Sequence, residues 1–285
     1  MRQGSIFLKG FTMLPFIDIF GKTVPMYAVM AFAGAAALCL WSVMLAKKRG
    51  VISCEDIFYM LLYAGIGCLI GAKALYLIIS VDVYWFTDKS FADNMRYWLT
   101  LLMSGGLVFY GGLIGAFLGA LRYCTHFKIP AYEAIETVIP GVPLFHAFGR
   151  IGCFLAGCCY GMEYDGVFSV TFENSPAAPN GVPLLPIQLI EAFGNFLLFV
   201  IFTLLFLRNF PRLSLSGLYL CCYAVMRFVL EFFRGDIIRG KALGLSTSQW
   251  ISIAVFAAGV ILLAVGKKPY NCTKKARINN KNSEK

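Results

Sequence analysis

Charge is scarce in this chain. Lys, Arg, Asp and Glu make up 14% of its 285 residues, against about 25% in an ordinary soluble domain. That deficit excludes a soluble globular enzyme. Long polar insertions are also lacking, so no separate soluble domain is expected. Alternating segments of about ten residues, the mark of a membrane β-barrel, do not occur. Only one span is broken and no internal repeat is evident, which argues against a transporter built from paired halves. The opening MRQGSIFLKG has no apolar core of the form a cleavable signal needs, so insertion is expected to rely on the first span. Acidic residues are scarcer than basic ones, 15 against 25, giving a net charge of +10. The excess lies in short loops and the tail rather than on one face, so no nucleic-acid partner is expected.

What fills the chain is apolar: 59% of residues are hydrophobic, in runs close to the ~20 residues that cross a bilayer. The reading is an all-α polytopic integral membrane protein of about seven transmembrane helices. Spans are expected near 25–46, 56–80, 99–121, 132–150, 186–207, 215–233 and 245–266. The fourth is interrupted by Pro140, Gly141 and Pro143. Residues 81–98 read as an interfacial aromatic segment, and VFSVTF within the polar 164–184 stretch reads as a short strand. Residues 1–266 make one transmembrane catalytic domain, and 267–285 a basic cytoplasmic tail without fixed structure. With the N-terminus outside, 14 basic residues fall on the inner side and nine on the outer. Positive charge accumulates inside, so N-out, C-in is expected, with the stretches around Arg150 and Arg234 on the outer face.

Ionisable groups at membrane depth are costly and mark function. Here they are Lys73, Arg150, Glu191, Arg227, Glu231, Arg234 and Asp236. An arginine offers a rigid fork of donors that suits a phosphate. Arg150 and Arg234 at one interface therefore read as a clamp for a phospholipid head group, the alternative being that each pairs with a buried Glu. Arg227 and Glu231 are four residues apart and are expected to pair with each other. His146 lies one turn before Arg150. It reads either as a base or as a satisfied interior histidine. SGGLVFYGGLIG places Tyr110 among Gly105, Gly106, Gly111 and Gly112. Such glycines allow close backbone approach, for a cavity or for tight helix contacts.

The ordered landmarks PMYAVM, GGLVFYGGLIG, PGVPLFHAFGRIG, LPIQLIEA and EFFRGD resemble those of the prolipoprotein diacylglyceryl transferases across nearly the whole chain. The resemblance implies a seven-span, N-out enzyme of the bacterial inner (cytoplasmic) membrane, with its active site toward the outer face. It implies transfer of a diacylglyceryl group from phosphatidylglycerol to the lipobox cysteine of a prolipoprotein signal peptide. The products would be a thioether and glycerol-1-phosphate. Arg150 and Arg234 would hold the phosphate. Tyr110 stands where the family carries His or Tyr and would sit at the proton-handling position, with His146 as the other catalytic candidate. Tyr27, Gly105, Gly106, Gly111, Gly112, Gly149, Gly152, Gly161, Gln188 and Glu191 would line or support the substrate pocket. No cofactor is implied. Membrane lipid is a partner; alternatives are another acceptor, or an inactive lipid-binding protein.

The chain departs from the family after Arg150. The family's G-N-F-x-N-G-E runs here as GCFLAGCC, so Cys153, Ala156 and Cys158 replace two Asn and an acid. The usual His-Pro-Ser-Gln is Leu185 to Gln188. This marks a divergent member. Cys153, Cys158, Cys159 and His146 number the four ligands of a zinc site, but C-x4-C-C is not a standard structural spacing, and no metal is expected. A Cys153–Cys158 disulfide, a relay thiol and simple packing remain open.

Overall fold

A computed structural model of the protein describes residues 11–12, 14–19, 21–84, 93, 95–96, 99–100, 106–173, 175–208, 214–236 and 241–265. The basic tail, Gly105 and most of the interfacial aromatic segment lie outside the described residues. Most of what is described is helical. Strand β1 is Phe11–Thr12, and β2 (Phe16–Ile19) forms a hairpin with β3 (Lys22–Pro25). Helix α1 (Met26–Arg49) follows directly, and ends at Gly50 with φ +65°. The left-handed turn there favours glycine. Helix α2 is Cys54–Tyr84. Ser53 caps it, its hydroxyl accepting from the Asp56 amide at 3.0 Å, as an N-cap serine does.

Six helical stretches among the described residues are long and apolar enough to cross a membrane. They are Met26–Arg49, Cys54–Ser80, Ala131–Leu155, Ile187–Leu207, Leu215–Phe233 and Thr247–Val265. Each lies within a few residues of an expected span. The expected third span, 99–121, is not one continuous helix. Residues 106–108 are non-helical, with Val108 extended. Its amide donates to the Ala72 carbonyl at 3.2 Å. Helix α3 starts only at Phe109 and runs to His126.

The fourth span is broken where Pro140 lies. Helix α4 (Ala131–Val138) gives way to a 3-10 turn at Ile139–Gly141, then α5 (Val142–Leu155). Proline has no amide to donate and clashes with the preceding turn. Strand β4 (Val170–Glu173), overlapping the expected VFSVTF, pairs in parallel with β1 and antiparallel with β5 (Pro183–Leu184). Phe154, Val170, Phe172, Ala178 and Leu184 form a buried cluster beneath this sheet, which anchors the end of α5. Helix α6 is Ile187–Leu207 and α7 is Leu215–Leu230, continued by a 3-10 turn at Glu231–Phe233. The hairpin of β6 (Lys241–Ala242) and β7 (Leu245–Ser246) leads into α8 (Thr247–Val265).

Two compact units are present: Met1–Ser42 with Ile135–Lys285, and Val43–Ala134. In both, large apolar side chains such as Phe32, Leu69, Ile70 and Ile261 face outward. In the first, Gln188, Glu191, Asn195, Thr203 and Arg227 are buried. A soluble protein would reverse that arrangement; lipid-facing helices require it.

In the second unit, α2 and α3 meet through glycine. A Cβ at Gly115 would collide with the Gly67 carbonyl oxygen, and one at Gly111 with that of Gly71. Only small residues permit this approach. Gly115→Ala is expected to destabilise the protein by about 1–3 kcal/mol through overpacking. Gly65→Ala, with nothing within 4 Å of its new Cβ, should be neutral or stabilising through helix propensity. Thermal unfolding in detergent measures both, and equal midpoints would refute the packing account.

Candidate active site

Helix α5 sets out the first half of the site. His146 and Arg150 are four residues apart and Cys153 follows at three, so one helix face carries all three. The helix ends at Leu155. Two left-handed residues then turn the chain back: Gly157 at φ +68° and Cys159 at φ +57°. The second is not a glycine, an uncommon conformation that surrounding contacts must hold. Those contacts are present. The Ser175 hydroxyl donates to the Gly157 carbonyl at 3.0 Å. The Gln188 amide donates to the Cys158 carbonyl at 2.8 Å. The Cys158 amide donates to the Cys153 carbonyl at 3.0 Å.

This turn gathers the sulfurs of Cys153, Cys158 and Cys159 within 4.8 Å of one another. The nine described cysteines are all free thiols, so the Cys153–Cys158 disulfide is not formed. Nor does His146 complete a four-ligand set. Its Nδ1 pairs with the Tyr219 hydroxyl at 2.7 Å, against the ring of Tyr223. It is a satisfied interior histidine on that side.

Residues 160–162 next run beside 233–235. The Met162 amide donates to Phe233 at 2.9 Å and the Gly235 amide to Tyr160 at 3.1 Å, flanking a bridge between Gly161 and Arg234. A Cβ at Gly161 would strike the Leu185 carbonyl, so glycine is needed for the close approach. The bridge brings Arg234 to Cys159, whose sulfur it hydrogen-bonds. Cys159 is drawn below the ordinary thiol value by hydrogen bonds from the Cys153 and Cys158 thiols, with Arg234 adding to the effect. Cys158, which shares its proton with both neighbours, is pushed up. Burial opposes the charge on Arg234, but its bonds to Asp236 and the Cys159 sulfur outweigh burial and keep it firmly protonated.

Five carboxylate contacts link the arginines into one ladder. Arg150 Nε meets Glu191 Oε1 at 3.0 Å. Arg227 lies 3.7 Å from the other Glu191 oxygen and 2.8 Å from Glu231. Arg234 lies 3.8 Å from Glu231, and its Nε and Nη2 hold Asp236 at 2.8 and 2.5 Å. The expected Arg227–Glu231 pair is therefore formed. Glu191, 2% exposed, supports two arginines at once. The Nη nitrogens of Arg150 meet no carboxylate among the described residues.

The remaining expected residues divide between structural contact and open space. Gly152 packs on Tyr27 and Met30 of α1, whereas a Cβ at Gly149 would meet nothing within 4 Å. Tyr27 is half exposed and lies within electrostatic reach of Cys153 and Arg150. Gln188 is buried and holds the cysteine turn. Tyr110 belongs to the second unit, in the first turn of α3 beside Phe109, and is 42% exposed. Gly111 and Gly112 lie against α2, and Gly106 faces the Tyr76 ring. Two residues escaped the sequence reading. Tyr219 holds His146, and Tyr223 hydrogen-bonds Arg150. Their signal was there: Tyr219, Tyr223, Arg227 and Glu231 recur every four residues, a polar stripe on one face of an apolar helix.

Comparison with known proteins then decides the family. The family profile described as prolipoprotein diacylglyceryl transferase matches residues 15–265. A phosphatidylglycerol–prolipoprotein diacylglyceryl transferase of Clostridium tetani is 34% identical over 251 residues, covering 88% of this chain and 96% of the relative. The chain belongs to the prolipoprotein diacylglyceryl transferase family. Another relative, phosphatidylglycerol–prolipoprotein diacylglyceryl transferase 2 of Clostridium perfringens, is 32% identical and covers 88% of this chain and 94% of its own length. One from Acinetobacter baylyi is 31% identical over 70% of this chain and 71% of its own. In this member of the prolipoprotein diacylglyceryl transferase family, Arg234 lies beside the three gathered thiols, bonding the Cys159 sulfur.

Proposed function

We propose that the protein transfers the diacylglyceryl group of phosphatidylglycerol to the thiol of a prolipoprotein lipobox cysteine, forming a thioether. The observation that carries this reading is the joining of Arg150 and Arg234, distant in sequence, at one end of a single unit. The reaction displaces a phosphate ester from carbon. Charge that develops on the departing phosphate needs preorganised donors, and the Nη nitrogens of Arg150 with those of Arg234 supply them. The thiol must also lose its proton, and an ordinary thiol is only a few per cent ionised at pH 7. Tyr110 and His146 are the proposed proton-handling groups, Tyr219 fixing the imidazole. Glu191 and Gln188 position Arg150 and the cysteine turn. Tyr27 and the open space beside Gly149 line the pocket, while Gly152 and Gly161 allow its close contacts. In this reading 1–266 is one catalytic domain with seven spans, N-out and C-in, and the site faces outward from the cytoplasmic membrane. The distribution of basic residues supports the orientation.

The test is transfer itself. Cells depleted of their own transferase, carrying a tagged prolipoprotein, should regain the lipidated species on gels when this chain is expressed. No mobility shift from well-expressed protein sinks the reading. In the same assay Tyr110→Phe and His146→Gln should each slow transfer by about 10²–10⁴ if the group moves the proton. If neither slows it, both proton assignments fail.

A further inference from the structure

We propose that Cys153, Cys158 and Cys159 bind one zinc ion, and that its fourth position takes the acceptor thiol and holds it as the attacking thiolate. This rests on the transferase reading above and deepens it. The three sulfurs lie within 4.8 Å of one another. Zinc with thiolates at about 2.3 Å in a tetrahedron sets sulfurs about 3.8 Å apart. Small side-chain rotations close that difference.

The donor set is all sulfur, which selects zinc or copper(I) over magnesium or calcium. The reaction changes no oxidation state, and zinc has none to change. A structural zinc site is closed by four protein ligands, whereas a catalytic one has three and an open position. Among the described residues no His, Asp or Glu joins the three thiols. The ring of His146 is turned to Tyr219. The turn is also held without metal: Ser175 fixes the Gly157 carbonyl and Gln188 the Cys158 carbonyl. Backbone groups held this way orient the ligands, as the outer partners of metal ligands do. Three thiolates on zinc carry a net charge of −1, and Arg234 lies against the Cys159 sulfur to balance it.

The step balances. The acceptor thiol would bind zinc and give its proton to the proton-handling group proposed above. Its sulfur attacks the glyceryl carbon that carries the phosphate; a C–S bond forms and the C–O bond breaks. The electron pair leaves on the phosphate oxygen, which Arg150 and Arg234 receive and which takes up a proton on release. The thioether has no thiolate charge and leaves the metal. Zinc would thus ease the loss of the thiol proton, which the proposed proton-handling group carries away.

Full-length protein purified in detergent under reducing conditions, exposed to zinc and desalted, should hold about one zinc per chain by mass spectrometry. Cys153→Ser, Cys158→Ser and Cys159→Ser should each lower that at least tenfold. Cys221→Ser, remote from the cluster, should not. Size-exclusion elution checks that the variants fold. If they do not, the wild-type protein still decides: zinc should shield these three thiols, and not Cys221, from maleimide. Cobalt(II) in the site should show tetrahedral absorption that shifts with a lipobox peptide and not with its Cys→Ser version. Zinc no higher in wild type than in the serine variants, or a cobalt spectrum indifferent to the thiol, overturns the proposal. Full-rate transfer by protein stripped of zinc overturns it and leaves the transferase reading intact. Stoichiometric zinc and a thiol-dependent cobalt shift without any transfer uphold the thiol-binding metal and sink the transferase reading.

Discussion

Arg234→Ala is expected to lower the rate of thioether formation by about 10²–10³, the usual loss when one preorganised donor to a developing oxyanion is removed. The measurement is initial rate with a lipobox peptide and phosphatidylglycerol in mixed micelles. Arg234 is the cleaner probe of the two arginines. Its carboxylate partner Asp236 is partly exposed, with 21% of its side chain accessible, so truncation leaves an acid that water can solvate. Arg150→Ala would leave Glu191 with a weaker partner at 3.7 Å in a nearly sealed position, and activity would then fall partly through folding. Arg234→Lys should restore little, because an ammonium is a point charge without the planar fork. A fully active Arg234→Ala protein would refute the clamp.

Glu191→Ala is expected to cost the fold about 3–5 kcal/mol, the scale for breaking a buried ion pair from one side. It is the only acid on Arg150 and one of two on Arg227 among the described residues. Removing it leaves Arg150, with 20% of its side chain exposed, to carry its charge almost dry. Denaturation in detergent reads the loss. The double variant Arg150→Met with Glu191→Leu should recover much of it, since apolar packing can replace a buried pair, yet remain inactive. Stability within about 1 kcal/mol of the wild type for Glu191→Ala would remove the ladder from the account of folding.

Helix existence was legible because hydropathy reads membrane spans directly. The broken fourth span was legible too, since Pro140 leaves no other choice. Span three was legible in part: the apolar run continues through Leu107, but residues 106–108 are non-helical and the helix begins at Phe109. In the site, single costly charges were easy to find. Their partners were harder, because Arg150–Glu191 and Arg234–Cys159 are joined by tertiary contacts that no short spacing betrays. The Arg227–Glu231 pair was visible for the opposite reason, being four residues apart on one helix. The cysteine cluster was missed as a geometry. Two left-handed residues, one of them Cys159, fold C-x4-C-C back on itself, and spacing alone treats that stretch as open chain.

Asp236 has a consequence for turnover. It occupies Nε and Nη2 of Arg234, the same edge a phosphate would grip in bidentate fashion. On the proposed clamp, the protein would thereby carry its own competitor for the lipid head group. Phosphatidylglycerol would then arrive by displacing a carboxylate already tethered two residues away, which would lower its net affinity while keeping the fork shaped for an oxyanion. For a donor concentrated in the plane of the membrane, weak ground-state binding is no handicap. It would leave more of the interaction to appear only as the bond breaks, and would let the same carboxylate evict glycerol phosphate once the transfer is complete.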